Sequence, residues 1–555
     1  MDRRYTIGID YGSLSARAVL MELDTGAVAA SEVYEYPHGI MTEALPDGTP
    51  LPADWALQDP ADYWEALHVL VPALLKQAGA EPRQVAGIGL DATSCTLLPL
   101  RWDGTPLCHL PAYGGCPHAY LKLWKHHAAQ PWADRILSLA RQRNAPWLQQ
   151  FGSLISGEHF LPKAAQIAAE APEVFQAADR LLEVGDWLVW RLCGRESRGY
   201  CAAAFKTYYH PQRGDVEADF LSAVHPLLGT LNRKLPSDIH FPGDAVGPLT
   251  EEAAQWLGLP RETVVSAAGV DAHVTLHGSH LNQSGDLLLI IGTSTCIIAH
   301  SDVYREIQGL NGVVPEGILP NLQAYEGGQA CVGDVFAWFL QNCVPAAYRQ
   351  EADAQGISLY QLLEGKSAAL APAENGLVAL DWWNGVRSTL MDFDLSGLIL
   401  GLTLETTPEA LYRALLESTA YGARRIIEAI EEAGVPIRAL YAAGGIPLKN
   451  QLLAQIYADI CNRPVHVVQQ AHSGALGSAI LGAAAATTGF QGLPELIERY
   501  RRSGETVYHP VPEHAEIYQQ LYALYSQLYD TYGRPDSPMK QLKQLRLAAQ
   551  QKKQP

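Results

Sequence analysis

Charged side chains are scarce in this 555-residue sequence, and positive charge is the scarcer sign. Charged residues make up 18% of the chain, and the formal net charge is −19. A surface with this charge balance repels phosphate backbones, which argues against a nucleic-acid partner. Hydrophobic residues make up 48%, and the length predicts two large domains, each with a substantial core.

The chain also lacks paired cysteines and long apolar runs. Its nine cysteines are scattered and none forms a Cys-x-x-Cys pair, so neither a zinc site nor a disulfide framework is favoured. The most apolar segment, residues 287–291, meets Gly292 and polar residues too soon to span a bilayer. We therefore expect a reduced, cytoplasmic protein without a membrane partner.

Strand and helix patterns alternate along the chain, which predicts an α/β architecture. Residues 5–24 predict a strand, a tight turn and a second strand, and residues 287–298 repeat this pattern half a chain later. We interpret the repeat as a divergent internal duplication. The predicted domains are an N-terminal lobe over 1–263, a C-terminal lobe over 264–495, and a C-terminal helix with a basic, frayed tail over 496–555.

Three amphipathic helices are well signalled. One covers residues 62–77, and a second begins at Pro408 after the N-cap Thr407 and ends before Gly434. The third covers residues 513–532. Its predicted buried face consists of Ile517, Leu521, Leu524 and Leu528.

Three turns have residues suited to binding a nucleotide. Residues 10–13 (Asp-Tyr-Gly-Ser) place a carboxylate suited to Mg²⁺ before a glycine that lets backbone approach an anion. Residues 292–294 (Gly-Thr-Ser) offer backbone donors and hydroxyls, and Gly444 and Gly445 permit a flat purine to lie against backbone. The alternatives are ordinary hairpins at the first two turns and close helix–strand packing at the third.

The order and spacing of these turns resemble the actin-like ATPase fold. In that fold two duplicated, ribonuclease H-like α/β lobes hold Mg-ATP in the cleft between them. A nucleotide site in so acidic a chain needs attraction of its own, which backbone N–H groups and Mg²⁺ supply.

Asp271 stands at the end of a predicted buried strand, between the turn at 10–13 and the turn at 292–294. Phosphoryl transfer to a hydroxyl needs a base that accepts the hydroxyl proton, and a carboxylate here has that chemistry. The alternative is that Asp271 caps a helix. His273 is expected to be a packed structural histidine.

Longer strings carry a more specific resemblance. They are Gly-Leu-Asp-Ala-Thr-Ser at 89–94, Lys-Leu-Trp-Lys-His-His at 122–127, Tyr-Glu-Gly-Gly-Gln at 325–329 and Asp-Trp-Trp-Asn-Gly at 381–385. With the turns above, they resemble the FGGY family of carbohydrate kinases, and within it the ribulokinase branch, from residue 5 to about residue 485.

This resemblance implies ATP-dependent phosphorylation of a ketopentose, with L-ribulose as the expected acceptor, as in arabinose catabolism. It implies that Asp271 is the general base and that Asp10 helps to hold Mg²⁺. The implied nucleotide-binding residues are Gly12, Ser13, Gly292, Thr293, Ser294, Gly444, Gly445 and Asn450. The implied acceptor-binding residues are Ser94, Lys206, Asp271 and Glu326.

Several of these residues have plainer alternatives. Lys206 is open to interpretation as a solvated surface lysine, and Glu326 as a structurally paired carboxylate. Trp124, Trp382 and Trp383 are candidates for sugar contact, with core packing as the alternative. A family signature also expects a tryptophan after its lysine, but Ala-Ala-Gln follows Lys163, which leaves Lys163 without a functional assignment.

Three other functions stay open. One is a kinase of the same family acting on xylulose, D-ribulose, a polyol or an aldonate. Another is an actin- or chaperone-like ATPase, which the strings at 122–127 and 325–329 disfavour. The third is an inactive sugar sensor, which Asp10 and Asp271 disfavour. Dimers are common in the family, and a homodimer is left open.

Overall fold

The computed structural model describes residues 3–501 and 504–551, and these residues form an α/β fold. The strands are β1 Tyr5–Tyr11, β2 Ser15–Glu22, β3 Val28–Glu35, β4 Leu57–Gln58, β5 Val85–Ala92, β6 Leu97–Leu100, β7 Leu121–Lys122, β8 Arg180–Glu183, β9 Arg198–Gly199, β10 Ile239–His240, β11 Ala245–Pro248, β12 Val264–Ser266, β13 Gly269–Val270, β14 Asp286–Ile291, β15 Thr295–Ser301, β16 Gly312–Pro315, β17 Gln323–Gln329, β18 Val378–Leu380, β19 Leu398–Leu400, β20 Ala439–Ala443, β21 Val465–Val468 and β22 Glu505–Tyr508. The helices are α1 Pro60–Ala78, α2 Gln130–Gln142, α3 Phe160–Glu170, α4 Pro172–Ala177, α5 Val184–Cys193, α6 Tyr200–Lys206, α7 Ala218–Val224, α8 Glu251–Leu257, α9 Asp271–Gly278, α10 Gly333–Asn342, α11 Ala346–Gln355, α12 Leu359–Ala368, α13 Pro408–Glu432, α14 Gly445–Lys449, α15 Gln451–Cys461, α16 Ser473–Thr487, α17 Leu493–Tyr500, α18 Pro512–Tyr532 and α19 Pro538–Gln551.

The chain forms two compact units, each assembled from separate segments. Among the described residues, unit 1 comprises 3–282, 314–324 and 470–501, and unit 2 comprises 283–313, 325–469 and 504–551. The sequence predicts a boundary between residues 263 and 264. In the structure, the segments 264–282 and 470–495 belong to unit 1.

The two main sheets share a central arrangement of strands, in which β2-β1-β5 of the first sheet corresponds to β15-β14-β20 of the second. In unit 1 the order is β11-β12-β5-β1-β2-β3, with β1 antiparallel to β2 and parallel to β5. The second sheet has the order β16-β17-β15-β14-β20-β21-β22, with β14 antiparallel to β15 and parallel to β20. Each sheet therefore sets a hairpin beside a parallel strand, which is the duplication that the sequence predicts.

Helix α16 packs directly on β1 and β5, although more than 380 residues separate it from the end of β5. A Cβ added to Gly8 would meet the Ala475 carbonyl oxygen, and one added to Gly89 would meet that of Ser478. Glycine in the strands lets the helix backbone approach the sheet. This close packing explains why residues 470–501 belong to unit 1.

The stretch between residues 100 and 235 carries a hydrophobic core of its own within unit 1. Helices α2, α3, α4 and α7 contribute Ile136, Phe160, Phe175 and Phe220 to this core. The segment that looks irregular in sequence is therefore a packed helical insertion.

The predicted helices are confirmed, but one predicted face is only partly correct: Leu521 and Leu528 of α18 are half-buried against the core of unit 2, and Leu524 is not. Thr407 caps α13, where its hydroxyl oxygen accepts from Ala410 N at 3.4 Å. On α18 the side chain of Leu524 is 47% exposed. The buried residues of α18 are instead Tyr518, Tyr522, Tyr525 and Tyr529. Tyrosines take these positions because their hydroxyls find charged and polar partners in unit 2.

The predicted frayed tail begins instead as helix α19, and Lys543 on it donates to Asp394 at 2.7 Å. Lys552 and Lys553, also part of the predicted tail, lie outside the described residues. Within the described chain, no helix combines the length and apolar character needed to cross a bilayer.

Candidate active site

Two carboxylates stand side by side on neighbouring parallel strands of unit 1. Asp10 on β1 is the register partner of Asp91 on β5. Asp91 is fully buried, and the Ser478 hydroxyl on α16 donates to its Oδ2 at 2.6 Å. No donor among the described residues reaches its Oδ1. Burial, and next the Asp10 charge, raise the pKa of Asp91 well above its usual range, so the pair needs a proton or a cation to offset its repulsion.

The Asp10 carboxylate also lies against the amino end of α16. A Cβ on Gly474 would stand 2.7 Å from Asp10 Oδ2, so glycine is what leaves room for the carboxylate. The positive end of the helix dipole favours a negative charge at this position. Arg17 Nη1 lies 3.9 Å from the same oxygen. Burial raises the pKa of Asp10 in spite of the opposing effect of the Arg17 charge.

Asp271 is the first residue of α9, and its side chain is partly buried. Its Oδ1 accepts one local hydrogen bond, from Ala272 N at 2.8 Å. Asp271 is not the N-cap of α9, because Val270 occupies that position, and this one bond is its contribution to the helix start. Burial, and then the Asp10 charge, raise the pKa of Asp271 to about 7. A carboxylate with a pKa near neutrality is well matched to accept a hydroxyl proton.

Lys206, the last residue of α6, is buried with 6% exposure, so the solvated-lysine alternative is wrong. Lys206 and Asp271 both belong to unit 1, and the positive charge of Lys206 lowers the pKa of Asp271, against the upward shift that burial causes. The preceding residue, Phe205, packs its ring 4.4 Å from that of His273 on α9. His273 is buried, as predicted.

The turn that carries Ser94 is held by Lys163. The Lys163 ammonium is fully buried and donates to the carbonyls of Cys95 and Leu123, both at 2.7 Å. Burial lowers the pKa of Lys163 to about 8. Lys163 thereby ties the 89–94 string to the 122–127 string, which gives it a structural role that its sequence context did not reveal.

Trp124, in the string at 122–127, lies next to the turn at 10–13. Its indole Nε1 donates to Ser13 Oγ at 2.9 Å. The Ser13 carbonyl accepts from Gln58 Nε2 at 2.7 Å. These contacts fix the turn at 10–13, so Trp124 has a hydrogen-bonding role toward that turn.

In unit 2 the turn at 292–294 joins β14 to β15 and packs on the start of α10. Gly333 N donates to the Gly292 carbonyl at 2.9 Å, and Val332 N donates to that of Thr293 at 2.8 Å. Thr293 is exposed, and Gly292 and Ser294 are half-buried. The turn is therefore fixed from behind by α10 while its outer residues stay accessible.

The glycine turn after β20 has two different glycines. Gly444 has φ +105°, and a Cβ there would meet the Ile291 carbonyl, so close packing explains this residue. Gly445 is exposed, with open space where a Cβ would stand. Asn450 is buried, and its Oδ1 accepts from Leu453 N at 2.8 Å to cap α15. Gly445 thus presents the open backbone that a purine needs.

Glu326 is a buried residue of β17 in unit 2. Asn311 N donates to its carbonyl at 2.8 Å, and Asn311 Nδ2 lies 3.4 Å from its Oε1. Trp382 is fully buried in the core of unit 2, and Trp383 packs its ring 4.6 Å from that of Trp338. Core packing therefore accounts for Trp382.

The structure brings four of these side chains together in unit 1: Asp10, Asp91, Asp271 and Lys206. Sequence reasoning did not identify Asp91 as a functional candidate. A signal was present, because Asp91 stands near the carboxyl end of a buried parallel strand, and such strands end at one sheet edge. Within the described residues no group of three or more His, Cys, Asp or Glu is arranged to hold a metal.

Comparison with known proteins covers both halves of the chain. Residues 5–278 match the N-terminal domain of the FGGY family of carbohydrate kinases, and residues 287–486 match its C-terminal domain. The chain is 47% identical to a ribulokinase of Bacillus licheniformis over 96% of its own length and 98% of the relative's. It is 43% identical to a ribulokinase of Mycolicibacterium smegmatis over 99% and 98%.

Solved structures show the same fold. A xylulose kinase from Rhodospirillum rubrum matches with a TM-score of 0.78 and 24% identity, over 95% of this chain and 99% of the other. A Plasmodium falciparum glycerol kinase with ADP matches with a TM-score of 0.74 and 16% identity, over 95% and 98%. The expected α/β fold is thereby confirmed.

Proposed function

Because the chain belongs to the FGGY family of carbohydrate kinases, we propose that it transfers the γ-phosphoryl group of ATP to L-ribulose. The observation that carries the proposal is Asp271, whose pKa is raised to about 7 beside Lys206 and Asp10. The ribulokinase names of the relatives at 43% and 47% identity support the choice of acceptor.

Asp271 acts as the general base. Its carboxylate accepts the proton of the acceptor's terminal hydroxyl as that oxygen bonds to the γ-phosphorus. The bond between the γ-phosphorus and the bridging oxygen breaks, and the products are L-ribulose 5-phosphate and ADP. The proton then leaves to solvent. Because the protein mainly positions groups and stabilises charge in such a transfer, the base must be both near neutral in pKa and fixed in place.

Three residues are proposed to hold the acceptor: Lys206, Ser94 and Glu326. Lys206 donates from its ammonium to the ketose oxygens, and the Ser94 turn, fixed by Lys163, presents its own hydroxyl. Glu326 accepts from sugar hydroxyls. A buried ammonium donates and a buried carboxylate accepts, and this pairing suits a polyhydroxylated ligand, whose oxygens do both.

Asp10 and Asp91 fit a Mg²⁺ ion. Their oxygens are the hard ligands that Mg²⁺ prefers, and Mg²⁺ is commonly bound by one or two carboxylates plus substrate phosphates. The Asp91 Oδ1, buried without a donor, is an oxygen that a cation would satisfy. When bound, the ion neutralises charge on the phosphates. The chain's own contribution is to hold the two carboxylates through Ser478 and the amino end of α16.

The nucleotide is held by the glycine turns. Gly12 and Ser13 bind the phosphates, together with Gly292, Thr293 and Ser294. Gly445, with Gly444 behind it, offers open backbone to the adenosine. Asn450, whose Oδ1 accepts from Leu453 N, lies at the helix that follows this turn and is the proposed contact to the base edge.

The test is ADP release coupled to a spectroscopic readout with Mg-ATP, in the presence of L-ribulose, D-ribulose, xylulose, a polyol, an aldonate or no acceptor. A large stimulation by L-ribulose and little by the polyol is expected. A larger stimulation by another acceptor would reassign the substrate within the family. Steady ATP hydrolysis that no sugar stimulates would replace the kinase proposal with a remodelling ATPase.

The family resemblance also supports a homodimer and a cytoplasmic location. Light scattering of the purified protein at several concentrations, and fractionation of the producing cells, test these two points. A mass of one chain at every concentration would exclude the dimer.

A further inference from the structure

The C-terminal helix α18 is buried on unit 2 through a row of tyrosines. The match to the C-terminal family domain ends at residue 486, whereas α18 covers Pro512–Tyr532. Tyr518 and Tyr525 are fully buried, and Tyr522 and Tyr529 are 5% and 4% exposed. A helix beyond the matched domain is therefore an integral part of unit 2.

Three of the four hydroxyls make anchoring contacts. Tyr518 donates to Glu417 at 2.9 Å, and Tyr522 donates to Glu428 at 2.5 Å. The Tyr529 hydroxyl lies 2.8 Å from Thr389 Oγ1. These bonds attach the helix to unit 2, and none of these partners belongs to the string at 325–329.

Tyr525 differs because its partner leads to the strand of the candidate acceptor site. Its hydroxyl donates to Asp381 Oδ1 at 2.8 Å, and Gln329 Nε2 donates to Asp381 Oδ2, also at 2.8 Å. The same Gln329 nitrogen donates to the Thr419 carbonyl at 2.8 Å. Asp381 therefore bridges α18 and the last residue of β17 with both of its oxygens.

The bridge is enclosed by α13. A Cβ on Gly422 would stand 2.5 Å from Gln329 Nε2 and 2.7 Å from the Asp381 carboxyl carbon. Asp381 and Gln329 are 7% and 3% exposed. Water thus has little access to replace a lost partner, and an unpaired carboxylate oxygen at this depth is costly.

Gln329 stands three residues after Glu326 on the same strand. Between them on the strand, Gly328 also bonds outside the sheet: Gly328 N donates to Ser388 Oγ at 3.2 Å, and Ser388 N donates to the Gly328 carbonyl at 3.1 Å. We propose that Tyr525 is a positioning residue for the acceptor: through Asp381 and Gln329 it sets β17 so that Glu326 meets the sugar hydroxyls. This inference rests on the proposed function.

The test compares Tyr525→Phe with Tyr522→Phe, which removes a buried hydroxyl from the same helix face. Y525F is expected to raise the KM of the acceptor roughly five- to tenfold, about the net value of one ordinary hydrogen bond, with the KM of ATP within about twofold. Y522F is expected to lower the Tm about as much as Y525F does, without changing the acceptor KM. Equal acceptor KM values in the two variants would overturn the proposal.

The acceptor in this test is the sugar that the wild-type chain phosphorylates best in the panel above. If that sugar is not L-ribulose, the substrate assignment fails while the comparison still decides the role of Tyr525. If no sugar is phosphorylated, both proposals are wrong. Should Y525F fail to fold, Gln329→Met, which removes both donor bonds at the strand end, is expected to give the same rise in acceptor KM, and an unchanged KM would overturn the proposal.

Discussion

The Cys201 sulfur lies 2.9 Å from Nδ1 of His273, and both side chains are buried. Cys201 is on α6, which ends at Lys206, and His273 is on α9, which begins at Asp271. One side-chain contact therefore links the helix of the proposed acceptor-binding lysine to the helix of the proposed base.

Cys201→Ala is expected to lower kcat/KM roughly three- to tenfold, because a small displacement of either helix misaligns the acceptor with its base. Cys201→Ser keeps a hydrogen-bonding atom at this position and is expected to retain most of the activity. Steady-state kinetics of the two variants check this. If C201A and C201S behave alike, the contact is packing only.

Asp271→Asn is expected to lower kcat by roughly 10²–10⁴-fold, the usual contribution of general base catalysis, with nucleotide binding retained. In the wild type, kcat/KM is expected to fall as the pH drops below about 7, because the raised pKa protonates the base there. A pH–rate profile checks this. A flat profile between pH 5.5 and pH 8, on the order of one unit either side of that pKa, would exclude Asp271 as the titrating base.

The same substitution is expected to stabilise the fold at alkaline pH. The folded-state pKa of Asp271 lies above the ordinary value of 3.8, so its contribution to stability is complete below that value and is lost as the pH rises through about 7. The Tm of D271N should therefore exceed that of the wild type at pH 8, and the difference should shrink toward pH 4. A constant difference would contradict this origin.

Asp91→Asn is expected to raise the Mg²⁺ concentration for half-maximal activity about tenfold, because one of two carboxylates that face the ion is lost. Manganese binding followed by electron paramagnetic resonance with ADP present gives a readout independent of turnover. Asp186→Asn is the matched control, since Asp186 is equally buried with a pKa raised to about 7 and accepts from Gly199 N instead. An equal rise in the half-maximal Mg²⁺ concentration for both variants would exclude Asp91 as a metal ligand.

Lys163→Met is expected to cost about 2 kcal/mol in the free energy of unfolding, because two buried carbonyls lose their charged donor. It should also raise the acceptor KM through the Ser94 turn. Lys122→Met is the control: Lys122 is fully buried over the Trp55 ring, and its Nζ has no hydrogen-bond partner among the described residues. K122M is expected to be neutral or stabilising in urea denaturation, and a loss as large as that of K163M would refute the distinction.

Local signals explain what the sequence predicted well. The bounds of α13 follow from Thr407 and Pro408, whose capping and first-turn preferences depend on a few neighbouring atoms. The hairpins at 5–24 and 287–298 likewise follow from residue alternation. The site residues Asp10 and Asp271 stand at strand ends, where a pattern of apolar residues stops.

What the sequence did not predict depends on distant partners. The apolar pattern of α18 places leucines inward, and Leu521 and Leu528 are half-buried there. The fully covered positions belong to tyrosines instead, because their hydroxyls bond to partners such as Asp381 and Glu428. The pKa of Asp91 depends on Asp10, some 80 residues earlier in the chain. No local pattern contains that information.

The packing of α16 on β1 and β5 also has a consequence for how the protein is made. β1 is synthesised at the start of translation, and α16 is complete only after residue 487 has been added. Until then the glycine-lined face of the first sheet has no helix to cover it, and the nascent unit exposes apolar surface. Unit 1 therefore begins to be synthesised first but cannot finish folding until α16, near the C-terminal end of the sequence, has been translated.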